Sequence, residues 1–176
     1  MLGCSYFFLA PQTNFGCKEP AEAAAYADAG VCPTSVETAA QDAQWAEARI
    51  AEIPRNGKET TGILYDSDGY GESITSGESG AEFDAAWAYL DPFLSLLTDH
   101  PPGKQVAGHV ETKAAAVMRD AAETFGVLVI NNPRGPCDCA SGVGCESAPM
   151  MILPCGSTLV LWWPGGGPLV LEGRGG

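Results

Sequence analysis

Basic residues are scarce in this chain. Its 176 residues include 9 Lys and Arg against 22 Asp and Glu, a formal net charge of -13. The excess lies in residues 1–100, with 4 basic and 16 acidic residues, whereas residues 101–176 hold 5 and 6. Because phosphate contacts supply most non-specific affinity for nucleic acid, this charge excludes a protein that coats nucleic acid in general. The nearly neutral second part could still admit one strand.

Long apolar runs are also missing. The apolar stretch from Met1 to Ala10 is too short to span a bilayer and has no basic residues before it. We therefore expect no transmembrane segment and no signal peptide. A chain of this length builds one core rather than two, so a single principal domain is predicted.

Three segments are predicted along the chain. Residues 1–33 are rich in Ala, Gly and Pro without an apolar period, and we expect a linker or disordered segment. Residues 34–56 are predicted to form a helix and a connector, with Thr34 and Glu37 spaced as a capping box. The principal domain is predicted over residues 57–176.

The apolar pattern of this domain predicts an α/β fold, a mixed sheet with helices on its faces. The apolar patch from Phe93 to Leu97 is assigned to the core, with a partner or substrate surface as the alternative. The predicted elements are a β-hairpin of 60–66 and 72–76, a helix of 81–90 interrupted at Pro92, a helix that begins near His109, strands at 125–130 and 158–163, a turn at 165–167 and a last strand at 169–172.

Cysteines are clustered whereas histidines are few. Three of the seven cysteines fall within nine residues, at Cys137, Cys139 and Cys145, and the chain has 2 histidines. A catalytic zinc takes three nitrogen or sulfur ligands and keeps one position for water. His109, Cys137 and Cys145 are predicted to be these ligands of one zinc ion. Cys145 is preferred to Cys139 because a Cys-x-Cys pair is tight for one tetrahedral metal. Cys139 remains the alternative thiolate.

Glu111 follows His109 by two residues, on the first turn of the predicted helix. It could reach the open metal position without being a ligand, which suits proton transfer. The alternative is a non-catalytic, zinc-stabilised binding module, in which His109 caps or packs a helix. A structural zinc site would need a fourth ligand and would have no use for Glu111.

His-x-Glu followed by Pro-Cys and a further Cys is the signature of zinc nucleobase deaminases, although seven residues rather than two separate Cys137 from Cys145. Over roughly Thr60 to Leu171 the chain resembles the bacterial polymorphic-toxin deaminases of the DddA-like branch, which act on cytosine in double- or single-stranded DNA. The matching segments are Ala107–Glu111, Val117–Asp120, Asn131–Cys137, Cys145 with Ile152–Pro154, and Gly156–Leu159.

This resemblance implies the three-layer deaminase fold, with a five-stranded mixed sheet flanked by helices. It also implies hydrolytic conversion of cytosine to uracil in DNA, with zinc at His109, Cys137 and Cys145 and proton transfer by Glu111. The low basic content favours single-stranded DNA over duplex DNA. Adenine, RNA and free nucleosides remain alternative substrates, because only the shape of the pocket would differ.

Substrate contacts are predicted at Asn131, Asn132 and Tyr65, with Trp162 and Trp163 as further candidates. Asn131 and Asn132 end a buried strand beside the site and could read a base edge, or they could only pair with backbone groups. Tyr65 could stack on a base, as could Trp162 or Trp163, although aromatic residues on strands usually belong to the core.

The resemblance also suggests the biological setting. We expect a monomer that is secreted or delivered as an effector, acts on DNA in the cytoplasm of a target cell, does not act at a membrane, and is blocked by a cognate immunity protein.

Overall fold

The computed structural model describes residues 33–55, 58–97, 104–137, 144 and 146–175. Residues 1–32 of the predicted linker lie outside these ranges. Within them, no helix has both the length and the apolar character needed to cross a membrane. The elements are, in order, α1 (Val36–Ala39), α2 (Ala43–Glu52), β1 (Thr61–Tyr65), β2 (Gly71–Thr75), α3 (Ala81–Leu97), a 3-10 helix (Lys104–Gly108), α4 (Val110–Asp120), β3 (Phe125–Ile130), α5 (Ser147–Ile152), β4 (Thr158–Trp163) and β5 (Gly166–Glu172).

The five strands form one mixed sheet in the order β2-β1-β3-β4-β5. Strand β1 is antiparallel to both β2 and β3, with Gly62 opposite Ile74 on one side and Ile130 on the other. Strands β3 and β4 are parallel, and β5 returns antiparallel to β4. The parallel pair requires a crossover, which α5 supplies. The predicted five-stranded mixed sheet flanked by helices is confirmed.

Helices cover both faces of the sheet, which gives three layers. On one face, Leu128 and Ile130 of β3 join the core formed with α3, α4 and α5. On the other face, Val127 and Val129 pack against α1 and α2. Successive strand residues point to opposite faces, so the continuous apolar run of β3 is what a strand covered on both sides requires.

The N-terminal helices differ from the prediction. The structure has two short helices in place of one, and the capping box is Ser35 with Thr38 rather than Thr34 with Glu37. Asp42 starts the second helix, because its side chain accepts a hydrogen bond from the Trp45 N–H at 3.0 Å. Two N-caps within eight residues break the helical period that the apolar residues alone suggested.

Helix α3 continues through Pro92 to Leu97, so the prediction that Pro92 interrupts it was wrong. Proline removes the N–H that would bond to the carbonyl four residues earlier, at Ala88. Both Ala88 and Pro92 are exposed, and water can satisfy that carbonyl. Phe93 of the predicted core patch is 38% exposed, and the side chains of residues 94–97 lie outside the description.

The last strand is longer than predicted. Strand β5 begins at Gly166, inside the predicted turn, and the chain reverses at Pro164 and Gly165. Gly165 has a φ of 75°, which suits glycine in a tight turn. The two-residue connection lets Trp163 pair directly with Gly166.

Candidate active site

The candidate site lies at the edge of the sheet where β2 and β3 end. Because β1 is antiparallel to both of these strands, their ends share one edge. Helix α4 also starts at this edge. The Gly77 N–H, just after β2, donates to the carbonyl of Gly108, just before α4, at 2.8 Å. A Cβ on Gly62 would stand 2.9 Å from Val110 Cγ1, so the start of α4 is pressed closely onto the sheet. Crevices outside the carboxyl ends of strands are the usual ligand sites of α/β proteins.

His109 and Cys137 come together at this edge. The Cys137 Sγ atom lies 3.7 Å from His109 Nδ1, although the two residues are 28 positions apart. His109 occupies the N-cap position of α4, yet its side chain makes no capping hydrogen bond. Both side chains are half-buried. The imidazole therefore does not cap α4, which was one role that the non-catalytic, zinc-stabilised module gave to His109.

The separation of these two atoms fits a shared zinc ion. Ligands at about 2.3 Å for sulfur and about 2.1 Å for nitrogen, at a tetrahedral angle, are about 3.6 Å apart. Burial lowers the pKa of His109 below its usual value of 6.5. The imidazole is thereby kept in the neutral form that binds metal.

The third predicted ligand lies outside the described part of the chain, as does its alternative Cys139. Cys145 stands in the sequence between Gly144 and Glu146, just before α5. The buried Gly144 donates its N–H to Ser147 Oγ at 2.9 Å, and its carbonyl accepts from the Ala148 N–H at 2.9 Å. Among the described residues alone, no three His, Cys, Asp or Glu side chains gather closely enough to hold a metal.

Glu111 lies on the first turn of α4 and is only 4% exposed. Desolvation raises the pKa of its carboxyl group above the usual 4.5, and a backbone hydrogen bond offsets part of this effect. A buried carboxylate that gains a proton more readily than usual suits a group that alternately accepts and donates one. Glu111 is therefore a buried carboxylate on the same helix as His109, two residues after it.

A sequence model of the SCP1.201-like deaminase family matches residues 31–176. The chain belongs to this family. Comparison with curated proteins finds no match. The family match confirms the predicted deaminase and its fold, and it begins upstream of α1, earlier than the resemblance that starts at Thr60. The narrower DddA-like assignment and the predicted domain boundary at residue 57 stay predictions.

In this deaminase the two strand-end asparagines make hydrogen bonds to backbone groups. Asn131 Oδ1 accepts from the Thr61 N–H at 2.9 Å, and its amide donates to the Pro54 carbonyl at 3.0 Å. The Asn132 amide donates to the Gly135 carbonyl at 2.9 Å, while its Oδ1 accepts from the Arg134 N–H at 3.1 Å. Asn132 thus closes the turn that leads to Cys137. These contacts favour the predicted alternative, in which both side chains pair with backbone groups.

Tyr65 and Trp162 lie in the core on the opposite face from α4. Tyr65 is 4% exposed, and its ring meets Trp45 edge-on at 5.0 Å between centroids. Trp162 Nε1 donates to the Ala40 carbonyl at 3.1 Å. The structure does not bring either of them to His109, so their placement gives no support to a stacking role.

Trp163 packs against the turn that leads to Cys137, a contact that the sequence pattern did not reveal. A Cβ on Gly135 would lie 2.7 Å from Trp163 Cε2, and one on Gly166 would overlap the same atom. The indole is therefore held between two glycines, one of which precedes Cys137 by two residues. The spacing Gly135-Pro136-Cys137 was visible in the sequence, but its partner on β4 was not.

Replacing Gly135 with alanine is expected to destabilise the protein and to weaken binding of the predicted zinc ion. Gly135 has a φ of 69°, where an L residue costs about 1–2 kcal/mol, and the new Cβ would also overlap Trp163 at a further cost of about 1–3 kcal/mol. Urea unfolding and metal analysis measure both effects. Gly156→Ala is the matched control, because its φ is 86° and nothing lies within 4 Å of the Cβ position. Equal losses in the two variants would contradict a role for the Trp163 contact.

Proposed function

We propose that this chain is a zinc-dependent hydrolytic deaminase that converts cytosine to uracil in DNA, with single-stranded DNA preferred. The observation that carries the proposal is the 3.7 Å approach of Cys137 Sγ to His109 Nδ1, beside a carboxylate buried on the first turn of the same helix. Membership of a deaminase family supports the reaction type. We infer the metal, the base and the nucleic acid from the residues of the site.

His109, Cys137 and Cys145 would hold the zinc ion, with Cys139 as the alternative thiolate. Bound there, zinc would lower the pKa of a coordinated water from about 15.7 to about 7. Glu111 would accept the proton of the attacking water and pass it to the ring nitrogen beside C4. It would then take the proton of the new C4 hydroxyl and deliver it to the amino group, which departs as ammonia and leaves a carbonyl at C4.

The choice of single-stranded DNA follows from access and charge. C4 of cytosine cannot be reached inside an undistorted duplex, and flipping the base costs a few kcal/mol. A protein with 9 basic and 22 acidic residues has few groups with which to grip and bend a duplex. A single strand avoids most of this cost.

Purified, zinc-loaded protein is expected to convert cytosine to uracil in a single-stranded oligonucleotide faster than in the matched duplex. Uracil is scored by glycosylase treatment and strand cleavage, and inosine is scored in parallel to test adenine. RNA and free cytidine form the other arms. Conversion of the duplex alone would overturn the strand preference, conversion of adenine, RNA or cytidine alone would overturn the substrate, and no conversion of any arm would overturn the activity.

The setting proposed for this activity is a bacterial toxin. A DNA deaminase delivered into a target cell introduces uracil throughout its genome, and the producing cell then needs an immunity protein that blocks the site. We propose a monomer that acts in the cytoplasm of the target cell. Expression of the protein inside bacterial cells is expected to be toxic, and loss of this toxicity on replacing Glu111 would support the role.

A further inference from the structure

Lys113 is a buried cation that the proposed chemistry does not use. It lies on α4, one turn after His109, and is 4% exposed. Its Nζ atom donates to the Thr75 carbonyl at 3.0 Å and to the Ser79 carbonyl at 3.1 Å. Both acceptors are backbone groups, one on the last residue of β2 and the other on the segment that follows β2. Burial of an ammonium group costs free energy unless its hydrogen bonds are well made. The burial of Lys113 therefore calls for a structural or functional explanation.

The segment held by Lys113 is Ser76–Gly80, which connects β2 to α3. Its two glycines at 77 and 80 have φ values of 135° and 95°, which side chains rarely adopt. The Gly77 N–H donates to the Gly108 carbonyl at 2.8 Å, and a Cβ on Gly108 would lie 3.0 Å from the Gly77 oxygen. The segment therefore lies directly against the residue before His109.

Glu78 is at the middle of this segment and is exposed. Its Cγ atom would be 3.5 Å from a Cβ on Gly108, so its carboxylate is carried beside the start of α4. A strand that enters the site from this side would bring phosphates close to this charge. Repulsion at such a place acts on substrate binding rather than on the chemical step.

From these contacts we infer that Lys113 is a positioning residue, which fixes Ser76–Gly80 as one wall beside the His109 and Cys137 site. This wall in turn selects the nucleic-acid substrate. Lys113 bonds to the carbonyls of Thr75 and Ser79, and between them the Gly77 N–H bonds to the Gly108 carbonyl. The substrate part of the inference rests on the proposed function. The positioning part rests on contacts alone.

Amide hydrogen exchange tests the positioning part without any need for activity. In Lys113→Met, which keeps the volume and removes the charge, exchange of the peptide that spans residues 76–80 is expected to speed up about tenfold or more. Lys113→Arg keeps donors and is expected to restore part of the protection. Lys58→Met, at an exposed lysine, is the control. Unchanged exchange in Lys113→Met would overturn the positioning role.

Kinetics on a single-stranded oligonucleotide test the wall. Lys113→Met is expected to change KM severalfold while kcat and zinc content stay near the wild-type values. Glu78→Gln is expected to lower KM severalfold at low salt and to lose this advantage at high salt. Glu47→Gln, at an exposed position on α2, is the matched control. Equal KM changes in Glu78→Gln and Glu47→Gln would overturn the role of Ser76–Gly80 in substrate selection.

The two parts fail separately. Should Lys113→Met not fold, Glu78→Gln still decides whether the segment borders the substrate, and Lys113→Arg still reports on its protection. If the wild-type protein deaminates no oligonucleotide, the proposed function fails and the substrate part fails with it. The exchange comparison then decides the positioning role by itself.

Discussion

Replacing Glu111 with alanine is expected to lower the rate of deamination by about 10² to 10⁴-fold, while the zinc content stays near one ion per chain. Positioned general acid–base groups contribute a rate factor of this size. Glu111 is the buried carboxylate on the turn that follows His109, and among the described residues it does not complete a metal-binding group with His109 and Cys137. Uracil formation and metal analysis on the same preparation measure both quantities.

Stability separates this catalytic role from a structural one. Desolvation raises the pKa of Glu111, so its charged form is disfavoured where it lies. Glu111→Gln keeps the shape and removes the charge, and it is expected to match or exceed the wild-type free energy of unfolding while it stays inactive. Glu47→Gln controls for loss of an exposed carboxylate. Deamination at the wild-type rate by Glu111→Ala would contradict the proton-transfer role, cellular toxicity kept without deamination would favour the zinc-stabilised binding module, and loss of zinc would make Glu111 a ligand.

Local patterns in the sequence predicted much of the fold. Strand β3 could be predicted from its continuous apolar run, which only a strand covered on both faces tolerates. The hairpin of β1 and β2 follows from a glycine-containing turn between two alternating segments. Helix α4 follows from apolar residues at helical spacing. Each of these signals is contained within about a dozen neighbouring residues.

What could not be predicted depends on distant parts of the chain. Helix α3 passes through Pro92 at a place where Ala88 and Pro92 are both exposed, and that exposure depends on how the helix packs. Asn131 bonds to Thr61 and Pro54, and Tyr65 packs on Trp45, so the backbone and core contacts of both side chains depend on tertiary structure.

The candidate site shows the same division. The pairing of His109 with Cys137 could be predicted, because ligand chemistry restricts which residue types can share a zinc ion. Lys113 gave no such signal, since a lysine on an amphipathic helix is usually solvated. It is buried here because the end of β2 and the segment after it lie over the first turns of α4, and each presents one carbonyl group.

Replacing Cys137 with serine is expected to weaken zinc binding by more than about 100-fold and to abolish deamination. Loss of a partner outside the ligand set already costs about 10- to 100-fold in metal affinity, so loss of a direct thiolate ligand should cost more. A competition titration with a coloured chelator measures the affinity. Cys155→Ser is the matched control, because Cys155 is a free and exposed cysteine. Wild-type zinc affinity in Cys137→Ser would remove the basis of the proposed metal site.

The same titration decides the second thiolate. If Cys145 is the ligand, Cys145→Ser is expected to lose zinc as severely as Cys137→Ser, whereas Cys139→Ser keeps it. The reverse result would place Cys139 in the site and leave Cys145 as a residue before α5. Cobalt substitution adds an independent count, because each thiolate bound to Co²⁺ contributes charge-transfer absorption. Two thiolates in the wild type and one in each ligand variant would match one imidazole and two sulfurs around a metal with an open position for water. Three thiolates in the wild type would fill that position and exclude the hydrolytic role.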